Sequence, residues 1–206
     1  LGTIAALDIV VSDGGYLSNL APRLIAFYRE HGYFPALRPG EKETVAQVHG
    51  WEKRQAVAVT LAASYDDFCL AQMARALGEE EDFLRFSNRA LNYRHLFNPQ
   101  TAFFHPKDAA GQFIQPMDYT FGGGIGARDY YDENNAWTYR WDVPHNIPDL
   151  IQLMGGPERF IARLDETFAA PLGKSKWEFY TTLPDQTGNV GQFSMGNEPS
   201  LHIPYL

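Results

Sequence analysis

Along most of the chain, hydrophobic positions recur every three to four residues, the spacing of α-helices with one face turned inward. The spacing predicts a first helix over 18–31, "SNLAPRLIAFYREH". Leu20, Leu24, Phe27 and Tyr28 share one side there, with Ser18 at a capping position and Gly32 as the stop. The longest pattern covers 52–77. Val57, Leu61, Tyr65, Phe68 and Gln72 trace one face, and Val59, Ala63 and Leu70 make the opposite side apolar as well. A helix apolar on both sides is packed on both, and Gly78 ends it. Residues 79–97 place acids in the first turn and Arg94 and His95 in the last, as the helix dipole favours. Phe83, Phe86, Ala90, Tyr93 and Phe97 would line its inner face. Residues 52–97 therefore predict an antiparallel helical hairpin closed by a Gly turn.

From 98 to 130 the periodicity gives way to Pro, Gly and aromatic residues. The pattern predicts a short β-hairpin pairing Phe103–Phe104 with Phe113–Ile114, then a long loop of the kind that carries function. Helices resume over 146–156 and 157–169, with Pro157 suited to a first helical position. Residues 170–198 read as mostly loop, and "NEPSLHIPYL" as the start of another helix. The fold class is all-α. Helical hairpins separated by long loops are the arrangement of an (α/α) barrel or toroid, of which residues 1–206 would form an incomplete part of a single domain.

Composition narrows the function. The chain has 206 residues, 45% of them hydrophobic, and carries 17 basic against 25 acidic side chains for a net charge of −8. That balance, with no cluster of Lys and Arg, argues against a nucleic-acid partner. Cys69 is the only cysteine, which rules out a disulfide within the chain. The longest uncharged helical run, "QAVAVTLAASY" over 55–65, is too short for a membrane span, and "LGTIAALDIVVSDGG" lacks the basic leader of a secretory signal. There is no Walker A motif and no HExxH, and "GGGIG" over 122–126 lacks the flanking strand and helix of a dinucleotide site.

Three stretches carry candidate chemistry. Asp66 and Asp67 fall in the middle of the long apolar helix, where a carboxylate must be paired, hydrogen-bonded or turned into a wet cleft. They are either acids facing a substrate or partners of an Arg. "DENNAWTYRWDVPHN" over 132–146 crowds rings against carboxylates and amides. Glu133 would serve as a general acid whose proton is held by neighbouring aromatic walls. Trp137, Tyr139 and Trp141 alternate, so they equally suit one face of a strand, and His145 suits either a sugar hydroxyl or the start of the next helix. "GNVGQFSMGNEPS" over 188–200 offers oxygen donors in Gln192, Asn197 and Glu198 that suit a hard cation such as Ca2+. The plainer alternative is helix capping by Asn197, with Pro199 and Ser200 in the first turn.

"YDENNAWTYRWDVPH", "DLIQLMGGPERFIARLDETF" and "GQFSMGNEPSLHIPYL", in that order, resemble glycoside hydrolase family 92, the calcium-dependent exo-α-mannosidases. Upstream, "WEKRQAVAVTLAASYDDFCLAQMARALGEEEDF" and "RALNYRHLFNPQTAFFHPKDAAGQF" look like the same family, so the resemblance covers roughly 23–206. It implies an (α/α) barrel that hydrolyses terminal α-mannosides of glycans with inversion. Glu133 falls where the family's general acid lies, in a segment usually written E-G-N/D-A-W. Gln192, Asn197 and Glu198 fall where the family holds Ca2+, which contacts the O2 and O3 hydroxyls of the mannose and helps distort its ring. Asp66, Asp67, Asn134, Trp137 and His145 are the expected substrate contacts.

The chain also departs from that pattern. The family's base segment, G-N-D/E-D-x-G-x-M-S, its G-D-H motif and its N-terminal β-sandwich domain are not visible in these residues. Gly188 and Asn189 stand where α-1,2-specific members carry a His-Glu pair. The resemblance further implies a periplasmic or secreted bacterial location, and an incomplete toroid would self-associate or dock on the remainder of its own domain. A non-catalytic mannose-binding domain of this fold, or an (α/α)-barrel glycosidase for another sugar, are the competing readings.

Overall fold

A computed structural model of the chain describes residues 22–121, 128–182 and 187–206. The predicted start of the first helix at 18–21 and the "GGGIG" stretch lie outside the described residues. Helices dominate, as the periodicity predicts. They are α1 (Pro22–His31), α2 (Ala56–Leu77), α3 (Glu80–Arg89), α4 (Ala136–Tyr139), α5 (Ile147–Leu153), α6 (Pro157–Ala169) and α7 (Lys176–Thr182). The described strands are two-residue pairs, β1 (Phe97–Asn98) with β2 (Phe103–Phe104) and β3 (Asn189–Val190) with β4 (Phe193–Ser194), both antiparallel.

The long helix α2 is buried on two sides. Val57 and Leu61 join a core with Tyr93, Leu96, Phe104 and Trp141, while Ala56, Val59 and Ala63 pack against Leu24, Tyr28 and Phe34. Further along, Leu70, Ala71 and Ala74 meet Phe86 of α3. Tyr65, expected on the buried face, is exposed. Gly78 closes the α2–α3 hairpin in a left-handed conformation (φ 75°), which frees its N–H to bond the carbonyls of Ala74 and Arg75.

Three elements differ from the pattern. Residues 79–97 are not one helix: α3 stops at Arg89, a 3₁₀ turn covers Asn92–Leu96, and the chain then enters β1. The tighter turn aligns residues three apart, so Tyr93 and Leu96 enter the same core, both fully buried. Phe103–Phe104 pairs with Phe97–Asn98 rather than with Phe113–Ile114. A local hairpin closes through the Ala102 N–H on the Asn98 carbonyl, with Ala102 at positive φ, leaving Phe113 to bridge Lys107 and the Ile114 N–H to bond the Pro106 carbonyl. "NEPSLHIPYL" forms two short 3₁₀ turns, Glu198–Ser200 and Ile203–Tyr205, instead of a longer helix. Pro204 lacks the amide that a helix running on from Glu198 would need at that point.

Candidate active site

The site grows from the segment before α4. Asn135 caps that helix, its side-chain oxygen accepting the Trp137 N–H at 3.0 Å, so Glu133 and Asn134 fall just ahead of the first turn. Trp137, Tyr139 and Trp141 are thus not one face of a strand. The same segment is fixed to the start of α2. No side chain caps that helix; instead the Arg128 carbonyl accepts from Gln55 N at 3.0 Å and the Tyr130 carbonyl from Val57 N at 2.8 Å and Ala58 N at 3.2 Å. Orphan amides of a long helix therefore hold the backbone that leads to Glu133. Gln55 and Lys53 sit in the left-handed region to make the approach, a strain that the surrounding contacts must hold.

Arg128 adds a second tie. Its Nη1 donates to Glu52 at 2.9 Å and to Asp132, the residue before Glu133, and its guanidinium lies 4.6 Å from the centre of the Trp51 ring.

The second half of the site arrives from 192–197. Gly191 turns the β3–β4 hairpin at φ 59°, so close to the end of α6 that a Cβ would stand 2.4 Å from the Phe168 carbonyl oxygen. The adjacent Gln192 N–H bonds the Thr167 carbonyl at 2.8 Å. The two segments then interlock through side-chain amides. Asn135 donates to Gln192 Oε1 at 3.3 Å, Asn134 donates to Asn197 Oδ1 at 3.1 Å, and Asn197 donates to Glu133 Oε2 at 2.9 Å. Gln192 is held from the other side by donating to the Pro171 carbonyl at 2.6 Å. All four amide side chains are buried and Glu133 is partly buried. Asn197 begins the Glu198–Ser200 turn, but its side chain makes no cap bond and reaches Glu133 instead.

Glu133, Asn134, Gln192 and Asn197 are therefore brought together. Trp137 lies alongside, edge-on to Phe103 at 5.2 Å, and the guanidinium of buried Arg140 stacks 3.4 Å from the Phe103 centroid and 4.8 Å from that of Trp137. Burial pulls Arg140 down to about 10, with Glu166 opposing. Tyr139 is buried behind the acid segment; its phenol is raised by burial first, then by the Asp142, Asp132 and Glu133 carboxylates.

Asp66, Asp67 and His145 do not join this group. Asp67 is fully buried and accepts from Tyr28 at 3.2 Å and from Arg89 at 3.1 Å, an ion pair linking α1, α2 and α3. It lies ten residues along α2 from Val57, about 15 Å of helix rise. Burial pushes Asp66 up to about 6. His145 contacts the rings of Tyr65, Phe68 and Tyr93 and donates from Nε2 to the Ala90 carbonyl at 3.0 Å. Its ring belongs to the packing between α2 and the turn after α3. The cap that His145 was weighed for is made by Asn146, which accepts the Asp149 N–H at 3.3 Å.

Sequence reasoning missed Asn135, Arg128, Glu52 and Tyr139. Asn135 was legible as an amide directly before a helical "AWTY"; the others depend on contacts between segments far apart in the chain.

The donor set suits a hard cation. The Gln192 and Asn197 carbonyl oxygens each accept one hydrogen bond, and an amide oxygen has two lone pairs. Glu198 follows Asn197 in the chain and is exposed. Oxygen donors of this mixed amide and carboxylate type match calcium. Among the described residues no group of three or more His, Cys, Asp or Glu is gathered into a metal cluster.

One similar solved structure is a family GH92 alpha-mannosidase from Bacteroides thetaiotaomicron in complex with mannoimidazole: 28% identity, TM-score 0.71, covering 98% of this chain and 26% of that one. Another is a family GH92 inverting mannosidase from the same organism, with 29% identity, TM-score 0.67 and coverage of 97% and 26%. An uncharacterized secreted glycosidase from Arthroderma benhamiae is 29% identical over 130 residues, 54% of this chain and 16% of that protein. The chain thus spans about a quarter, or less, of the length of these relatives. The model of the glycosyl hydrolase family 92 catalytic domain matches residues 6–206, and the chain belongs to that family.

Proposed function

We propose that the protein containing this chain hydrolyses terminal α-mannosidic bonds of glycans, with Glu133 donating the proton to the leaving oxygen. The observation that carries this reading is the hydrogen bond from Asn197 Nδ2 to Glu133 Oε2. An amide nitrogen can only donate, so Oε2 acts as acceptor and the carboxyl is held in one direction. Two further amide pairs fix the loop on which the carboxyl is carried, giving the acid the rigid placement that proton transfer requires. Substrate class comes from the similar Bacteroides alpha-mannosidases. Helices as hairpins support the (α/α) barrel, and the secreted relative supports a location outside the cytoplasm.

Inversion needs a second carboxylate across the sugar, about 6.5–9.5 Å from the first, to activate water; the family resemblance assigns it to a later segment. Gln192, Asn197 and Glu198 are the residues that would hold Ca2+. Bound there, the ion supplies positive charge to sugar hydroxyls and helps distort the ring. This chain's own contribution is to hold and deliver the proton at Glu133 and to keep the Asn134, Asn135 and Asn197 amides aligned behind it.

The test is hydrolysis of an aryl α-mannoside by the full-length protein, with and without a chelator, beside Glu133→Gln. Loss of turnover in the variant and calcium-restored activity after chelation are expected. Turnover that survives both treatments overturns the assignment.

A further inference from the structure

Glu133 sits on a stretch that lies outside the described helices and strands, so no backbone ladder fixes it. Its neighbours are pinned one by one instead. The buried Tyr131 donates its hydroxyl to the Phe104 carbonyl at 2.8 Å, Asp132 accepts from Arg128, and the buried Tyr139 phenol bonds the Glu133 backbone. The second of these ties is ionic and forms part of a closed ring. The Arg128 carbonyl accepts the Gln55 N–H at 3.0 Å, the Gln55 side chain donates to Glu52 Oε2 at 3.0 Å, and Arg128 Nη1 donates to that same oxygen at 2.9 Å. From there Nη1 reaches on to Asp132. One nitrogen thus joins the approach to α2 to the residue directly before Glu133.

The three charged side chains are mostly buried, at 13% exposure for Arg128, 20% for Glu52 and 14% for Asp132. A buried ion pair or triad roughly breaks even against its own desolvation. This one is also incompletely satisfied, because Arg128 Nε is buried with no hydrogen-bond partner. Two carboxylates share one guanidinium, and a further N–H goes unused, so the cluster is a poor device for stability and a good one for fixing a single geometry. What it fixes is the bend of the backbone four residues long that ends beside the acid. A general acid must approach the oxygen it protonates to about 2.6–3.2 Å, and a misplacement of about 1 Å can cost on the order of a hundredfold in rate.

We infer that Arg128 is a positioning residue for the proton donor, aiming the Glu133 carboxyl by clamping Asp132 to Glu52. This rests on the reading of Glu133 as the acid and adds the device that aims it.

The experiment uses the full-length protein and two substrates. Methyl α-mannoside has a basic leaving oxygen that must be protonated as it departs. In 2,4-dinitrophenyl α-mannoside the leaving phenolate departs without a proton. Arg128→Met should lower kcat for the methyl glycoside roughly ten- to a hundredfold, leave the dinitrophenyl glycoside within about twofold, and leave KM for both unchanged. Asp132→Asn, which cuts the clamp at its other end and removes no cation, should show the same split at smaller size, and decides the matter if Arg128→Met does not fold. Adding Arg128→Met to Glu133→Gln should change nothing further, because residues acting through one group are not additive. Glu133→Gln alone is the control on the underlying reading: if it lowers both substrates equally, Glu133 is not the donor. If it shows the split and the clamp variants do not, Glu133 stands and the inference falls. Equal losses on both substrates, a raised KM with kcat intact, or a loss that multiplies onto Glu133→Gln each overturn the role of Arg128.

Discussion

Asn197 donates its side-chain amide to Glu133 across 2.9 Å, although the two are 64 residues apart in the chain. The same Asn197 receives the Asn134 amide on its oxygen, so one side chain registers the acid segment against the 192–197 segment. Asn197→Ala removes the donor to Glu133 and leaves a buried Asn134 amide without its acceptor. A buried polar group left unpaired costs about 1–3 kcal/mol of stability, and loss of the contact that orients the acid should lower kcat/KM, within the roughly 10²–10⁴-fold that a positioned acid contributes. Asn197→Asp sets a carboxylate against Glu133 and should lower it further, with a displaced pH–rate profile. Steady-state kinetics of the full-length variants check both.

Gly191 is the residue on which the second segment turns. At φ 59° a side chain is disfavoured in itself, and the Cβ would meet the Phe168 carbonyl oxygen at 2.4 Å, a backbone atom of α6 that cannot step aside. Gly191→Ala should destabilise the protein by more than the roughly 1–3 kcal/mol of the dihedral alone. Gly188→Ala, also at positive φ but only 3.3 Å from the Met195 Cβ, should do less. Urea titrations giving midpoints that fall in the order parent, Gly188→Ala, Gly191→Ala, at constant slope, would bear this out. Activity should follow the same order, because Gln192 moves with the turn.

The reach of the sequence differs from element to element. α2, its Gly78 stop and α6 from Pro157 follow from local periodicity and caps, which neighbouring residues settle. The break of 79–97 after Arg89 does not, because Tyr93 and Leu96 fit either an α-helix or a 3₁₀ turn until the core they enter is known. The partner of Phe103–Phe104 was misassigned because β-pairing is a choice between distant strands, and the nearer Phe97–Asn98 needs only a short turn. At the site, the composition of 132–146 and 188–200 marked both stretches, but nothing in spacing joins Glu133 to Asn197. That link came from a family resemblance, and only packing supplies the amide bonds behind it. Asp67 was equally legible as an ion-pair partner and as a substrate contact, since pattern shows that a buried carboxylate needs a partner and does not say which.

The Asp67–Arg89 pair separates those two roles. Removing one member of a buried ion pair strands the other and costs about 3–5 kcal/mol, so Arg89→Ala should lower stability sharply. A structural pair some 15 Å of helix away from the start of α2 should leave the KM for an aryl α-mannoside unchanged at a temperature where the variant is folded. A KM raised tenfold with stability intact would return Asp67 to the substrate.

Two desolvated groups, His105 and the partly exposed Asp142, should tilt stability with pH in opposite directions. His105 is buried, with Nε2 at 2.9 Å from the Thr101 hydroxyl, and burial pulls it from 6.5 to about 4. Its folded state favours the neutral ring, so the stabilisation is complete above pH 6.5 and is lost as pH falls toward 4, by up to about 3 kcal/mol. Asp142 behaves inversely: burial pushes its carboxyl from 3.8 up to about 7, so the folded state favours the protonated acid. The penalty is absent below pH 3.8, grows as pH rises through the interval and is complete above 7. Urea unfolding at pH 4, 6 and 8 distinguishes them through variants. His105→Gln should lose less stability than the parent between pH 6.5 and 4. Asp142→Asn should gain on the parent most at pH 8, by about 1–3 kcal/mol after allowing for its partial exposure, and show almost no gain at pH 4. The reverse order for Asp142→Asn would mean that its carboxylate is held by a favourable partner when ionised, and would reassign it from a desolvated acid to a member of the charged group around Tyr139.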